Sequence, residues 1–435
     1  MDLRNLILRA AFGCILAVLS VAVARCRLPR AISELKNGRF DLYFLSFFSL
    51  GHIFIFVTVF LVLHQKIHGD LPGVYVPQAQ AVMKRLAPYR DFESSYAPLN
   101  PYFDAFLLRL HNSGLTILVF QILCEIASIP FWIGFLRRAF PEGLVRKAAL
   151  LYLVQPLTLW ETCIDGKNQA CIALFLGIAL YAIARREVLS GLSFGTSIVL
   201  VKILPLMFLP ALFLGARKRG AWLIGALALP ALVYAGFWLN GIDVAHPVRV
   251  LGSVITSNDL PYFVSVLSGV AVPVKVVNLV NLLGTGTMVA WTTPAQIRAR
   301  GDEVLSLRRV SFSMLAVMLT VLALSGKSQP DYLGIAFFLL CILVAVEAES
   351  KRSWTAYVYG ALSAVVLPIM SIWYWPLNEA TGAQLRAMCL QGNKGAWVLA
   401  VGLAVLLFSY SWFVVRALGR VNEDLPGAQS NPLAA

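Results

Sequence analysis

Charged residues make up only 13% of this 435-residue chain, so those placed to do chemistry stand out. Asp70 comes a few residues after the apolar run 41–63, inside Gly69-Asp70-Leu71-Pro72-Gly73-Val74-Tyr75. A carboxylate just beyond a membrane wall is partly desolvated, which raises its basicity, and the wall fixes its position; both suit a general base. On residue type alone, a solvated loop aspartate is the stronger reading. The rings Tyr75, Tyr89, Phe92, Tyr96 and Tyr102, interleaved with Pro72, Pro77, Pro88, Pro98 and Pro101, favour an ordered, ring-lined loop of the kind a saccharide or lipid headgroup needs. Lys202 lies inside an apolar segment. A cation near membrane depth costs roughly 2.5–3.5 kcal/mol, so it faces a partner or an aqueous cavity unless it snorkels to the interface.

Other polar groups carry less. Asp165-Gly166-Lys167-Asn168-Gln169, with Glu161 one turn earlier, reads as a capped turn between two spans that could also touch sugar hydroxyls. The histidines (His52, His64, His68, His111, His246) form no HExxH set, and there is no DxD pair, Walker loop or GxGxxG. The seven cysteines are scattered without a CxxC and are expected to pack as small apolar residues. No metal and no cofactor is expected.

The elements that position these residues must be helices crossing a membrane. Hydrophobic residues are 59% of the chain, which excludes a soluble enzyme, and continuous apolar runs of 16 to 24 residues exclude a barrel. Spans are expected at 4–24, 41–63, 113–135, 148–163, 169–184, 221–240, 275–292, 310–325, 332–347, 354–373 and 395–415. The first could instead be a signal peptide, although no A-x-A site follows. Segment 188–216 is about 44 Å long as one helix and basic at both flanks. With Pro205 and Pro210 as breaks, it reads as two half-helices meeting near Val201–Pro205 with Lys202 at the tip.

The formal charge of +14 is topological rather than a nucleic-acid signal. Putting the cytoplasm at Arg25–Arg39, Arg137–Lys147, Arg185–Arg186, Arg217–Arg219, Arg298–Arg309, Lys351–Arg352 and Arg416–Arg420 assigns 22 of the 36 basic residues to short cytoplasmic segments. That leaves two long exterior stretches, 64–112 and 241–274. The first carries an amphipathic run, Val76–Ala87, expected to lie on the membrane surface. Residues 1–422 form one membrane domain, and 423–435 are expected to be a disordered cytoplasmic tail.

Gly69-Asp70-Leu-Pro-Gly-Val-Tyr75, Pro88-Tyr89-Arg90-Asp91-Phe92 and Tyr96-x-Pro98 resemble the first exterior loop of membrane glycosyltransferases of the GT-C fold. The resemblance is nearest to glycosyltransferase family 87, the polyprenyl-phosphate-mannose-dependent mannosyltransferases. Gly191–Pro205, ending in Val201-Lys202-Ile-Leu-Pro205, is similar to that family's glycine-rich helix ending in Lys-x-x-Pro. Ser325–Leu333 resembles its short late loop with a Pro and a Tyr; Gln329 stands where related enzymes often have a histidine.

The resemblance implies an all-α bundle of about 11–13 transmembrane helices in the inner (plasma) membrane, with its site facing the periplasm or exterior. It implies metal-independent, inverting transfer of a hexose, mannose first, from a polyprenyl-phosphate sugar to a glycolipid or glycan acceptor in an envelope pathway. Asp70 takes the position of the base, with Asp91 as the rival carboxylate. Lys202, Lys327 and, more weakly, Arg249 would meet the departing phosphate, although for Lys327 a plain topological charge fits as well. Tyr75, Tyr89, Tyr96, Gln329 and Tyr332 would line the substrate. A transporter or flippase for a lipid-linked or polar solute is the alternative, against which stand the one-sided polar excess and the absence of internal repeats.

Overall fold

A computed structural model describes residues 3–253, 255, 256, 258–349, 353–370 and 381–423. The basic pair Lys351–Arg352 and the tail 424–435 lie outside the described residues. The chain is helical, with no strand among the described residues beyond a single bridge between Pro88 and Phe92. Among the described residues, eight helices are long and apolar enough to cross a membrane, and four shorter apolar ones accompany them: Gln169–Ala182, Glu187–Leu200, Leu204–Gly215 and Thr355–Met370. The protein is thus a multi-pass α-helical membrane protein.

Hydropathy all round a helix predicts burial inside the bundle. Burial here follows position in the bundle rather than hydropathy alone: 89% of the residues of Pro330–Glu347 and 78% of the most apolar stretch of Glu303–Leu324 are buried, whereas Asn37–Val62, more apolar than either, has 17% and Val274–Arg298, with 6%, presents its apolar surface outward. Glu187–Leu200 packs closely on Arg219–Leu239 because Gly191 has no side chain: a Cβ there would stand 2.1 Å from the Trp222 carbonyl.

Segment 188–216 runs as the helix Glu187–Leu200, breaks at Val201–Ile203, and resumes as a tight turn Leu204–Phe208 and the helix Leu209–Gly215. Its two ends meet, since Glu187 Oε1 accepts from the backbone amides of Arg217 at 2.7 Å and Lys218 at 3.3 Å. The break frees backbone carbonyls, which need partners. The first long loop supplies them: Ala97 and Leu99 donate to the Val201 and Val199 carbonyls at 3.1 and 3.0 Å. Tyr96 is thereby carried to Lys202.

That loop, 64–112, departs from its sequence reading in one respect. The amphipathic helix spans Val76–Met83 rather than reaching Ala87, and is preceded by a wide turn, Leu71–Tyr75. Arg85 adopts φ +67°, which ends the helix before Leu86 can join its apolar face, and Leu86 is left exposed. A further helix, Asn100–Leu110, follows.

Candidate functional site

The site is assembled at the end of the bundle where helix Gly114–Ala139 begins. Gly69 at φ +75° turns the chain into Asp70, which opens the wide turn Leu71–Tyr75. Facing it is the turn Asp165-Gly166-Lys167. Gly166 has φ +62°, and a Cβ on it would stand 2.2 Å from Leu71 Cδ1, so only glycine allows the two turns to close on each other. This contact brings Lys167 Nζ to 2.7 Å from Asp70 Oδ2. The tight turn Pro330–Ala336 adds Asp331, 3.9 Å from Lys167 and hydrogen-bonded by Gln169 Nε2 at 2.7 Å. Lys202 at the hairpin tip lies over the faces of Tyr96 and Tyr332, at 5.0 and 4.8 Å from their centroids. Tyr96 donates a long hydrogen bond, 3.4 Å, to Asp70.

Asp70 is therefore not the isolated loop carboxylate whose basicity desolvation raises. Burial does push its pKa upward, but the Lys167 ammonium, by charge and by hydrogen bond, outweighs burial and holds it below the ordinary carboxylate value. Lys167 is shifted in the opposite sense: burial disfavours its charge, yet Asp70, Asp331 and Glu161 together raise it well above the usual lysine value.

Two cavities meet at Asp70 and Gln329. One, about 360 Å³, is lined by Lys202, Lys327, Tyr96 and Tyr332 together with the apolar Val74, Ile203 and Leu204. The stretch 241–274 contributes Thr256, whose hydroxyl donates to the Ser328 carbonyl at 2.7 Å, while Asp259 caps helix Leu260–Ser268. The other cavity, about 270 Å³, is lined by Arg9, Glu161, Asp165 and Lys167. Arg9 projects from helix Leu3–Arg25, stacks on Trp160 at 4.8 Å, and pairs with Asp165 at 3.2 Å.

The structure thus unites Asp70, Lys202, Lys327, Tyr96, Gln329 and Tyr332 around one cavity. Tyr75 is fully buried and packs edge-on to Tyr96 at 5.1 Å, so it positions that ring instead of lining the space. Tyr89 donates to the Tyr96 carbonyl and packs beside His246. Asp91 and Arg249 are outside both linings. Asp91 pairs with Arg90 at 2.9 Å and accepts from the Ala87 amide, and Arg249 pairs with Asp243 at the surface. Sequence reasoning left Lys167 and Glu161 in a capped turn and gave no role to Arg9 or Asp331. The available signal was the charge itself, since Arg9 and Asp331 lie within long apolar segments where ionisable groups need a partner. No group of three His, Cys, Asp or Glu converges for a metal among the described residues. No protein-family profile matches this chain, and no curated protein matches it at a significant level.

Proposed function

We propose that this protein is a membrane glycosyltransferase of the GT-C type, moving a hexose from a polyprenyl-phosphate carrier to an envelope glycolipid or glycan on the exterior face. The observation that carries this reading is the cavity joining a carboxylate, Asp70, to two cations, Lys202 and Lys327, between tyrosine faces and an apolar wall. A carrier lipid needs such a wall for its chain, and its phosphate needs the cations. Rings beside polar groups suit a sugar.

In the proposed step the acceptor hydroxyl oxygen bonds to the anomeric carbon as that carbon's bond to the phosphate oxygen breaks. The hydroxyl proton passes to Asp70, and the leaving phosphate keeps the electron pair, its charge met by Lys202 and Lys327. Asp70 as it stands is engaged by Lys167, which lowers its basicity. Asp331, 3.9 Å from the same ammonium, offers Lys167 an alternative partner, and a shift of Lys167 toward Asp331 when substrate binds would free the base.

The test is transfer of radiolabelled sugar from a panel of polyprenyl-phosphate sugars to extracted envelope glycolipids, with membranes holding wild type beside Asp70→Asn. Product from one donor that vanishes in the variant supports the reading. No donor-dependent product from correctly inserted wild type would move the assignment to a transporter of a lipid-linked or polar solute.

A further inference from the structure

The second cavity beside Asp70 has walls that donor binding does not employ. We infer that it is an acceptor subsite selecting an uncharged, hydroxyl-rich ring, with Glu161 receiving the hydroxyl hydrogens; this rests on the transferase reading above. Glu161 sits in the wide turn Thr158–Thr162 and is only 3% exposed. Neither of its carboxylate oxygens accepts a hydrogen bond from the described residues, and Arg9 approaches one of them only to 3.7 Å. Leaving a buried acceptor unmet is costly, and a native structure meets it when something binds. Its neighbours Asp165 and Lys167 are already engaged, by Arg9 and by Asp70, whereas both oxygens of Glu161 have open hydrogen-bonding capacity among the described residues.

The charges of the two cavities divide the work. The first sets two lysines against one carboxylate and so suits an anion. In the second, Arg9 and Lys167 are each already paired with a carboxyl group, Asp165 and Asp70, so neither cation is open to an anion and neither of those carboxylates is open to an ammonium. What remains is a neutral ligand whose hydroxyl groups can donate to carboxylates and accept from cations. At 270 Å³ the space fits one ring better than an extended chain. Because Asp70 borders both cavities, a hydroxyl bound in the second is adjacent to the base while the reacting carbon waits in the first.

The experiment uses full-length wild-type protein in lipid nanodiscs without donor, so that turnover plays no part and Asp70 keeps its pairing with Lys167. Glu161 is labelled with a hydrophobic carbodiimide and its modification read by mass spectrometry, with methyl α-mannopyranoside or with glucuronate at equal concentration. The neutral glycoside is expected to cut labelling about fivefold or more when near saturation, and glucuronate to leave it unchanged. No protection by the glycoside, or equal protection by glucuronate, overturns the assignment. Glu161→Gln in otherwise wild-type protein should raise the apparent KM for the glycolipid acceptor about tenfold, the loss of one charge-assisted hydrogen bond, with the donor KM unchanged. An equal rise for both substrates marks Glu161 as structural. Protection of Glu161 in wild-type protein that transfers sugar from no donor would support the polyol site and remove the transferase, so the two failures are separable.

Discussion

Two clusters of charge lie at opposite ends of helix Gly114–Ala139, and they are built differently. At its C-terminal end, Arg137 donates to Asp41 at 2.8 Å and to Glu142 at 2.8 and 2.9 Å. Arg146 donates to Glu142, to the carbonyls of Ile32, Ser33 and Leu35, and to Asn37. The guanidinium groups there have partners throughout. At the other end, both oxygens of Glu161, Oδ1 of Asp331, Oε1 of Gln169 and the side-chain amide of Asn168 are buried with no hydrogen bond from described residues. A charge cluster that only holds helices together closes its own hydrogen bonds. One that handles a ligand leaves some open.

Substitutions test this contrast. The largest effect should come from Asp70→Asn, which keeps shape and insertion but removes the base. Transfer is expected to fall about 10²–10⁴-fold by radiolabel assay, and retained transfer would reject Asp70 as the base, since Asp91 lies outside both cavities. Lys202→Met should come next. Donor KM is expected to rise by about tenfold or more while acceptor KM holds, since one charge-assisted contact to phosphate is lost. Equal loss for both substrates would make Lys202 a structural post. Gly166→Ala drives a methyl into Leu71 and forces φ +62° on a residue with a side chain, so it should both destabilise the fold by about 1 kcal/mol or more and depress transfer, because the two turns no longer close. Wild-type melting with lost transfer would still place the effect at the site; wild-type transfer would separate the turn from the chemistry.

At the closed cluster the opposite pattern is expected. Arg137→Ala should lower thermal stability by about 1 kcal/mol, a modest figure because Asp41 and Glu142 are partly open to solvent, while transfer per folded molecule stays unchanged. A specific loss of turnover there would erase the distinction between the ends. The smallest effect concerns pH. Asp70 has a lowered folded pKa, so its pairing contributes stability present above the unfolded value near 3.9 and lost as pH falls through the folded one. Lys167 is raised, so its share is present below about 10.4 and lost only as pH rises through its still higher folded value. The melting difference between wild type and Asp70→Asn should therefore stay flat from about pH 5 to 9 and narrow in acid. A step near neutrality would contradict the ion pair.

Much of the fold was legible because apolar length and periodicity act locally. The runs 41–63 and 113–135 became the helical segments Asn37–Val62 and Gly114–Ala139. The interruption at Lys202 was also local, set by two prolines and basic flanks. Less legible was the wide turn at Leu71–Tyr75, where Pro72 and Gly73 permit several backbone paths and packing of Leu71 against Gly166 selects one. The site was half visible. Asp70, Lys202, Lys327 and the late-loop Gln329 and Tyr332 each announced themselves as polar groups beside apolar walls, whereas Lys167 read first as part of a capped turn, with contact to sugar hydroxyls as the weaker reading.

The sequence by itself determined a helical membrane protein with a long ring-rich loop and a cation at a helix break. Those properties follow from composition and spacing along a few turns of chain. Only the tertiary structure decided that Lys167, 97 residues away, meets Asp70, that Arg9 from the first helix reaches Asp165, and that two cavities share one carboxylate. The physical reason is that hydropathy specifies which faces leave water or lipid but carries no label for which buried charges will find each other. That choice is made when the turns at Asp70 and Gly166 pack together.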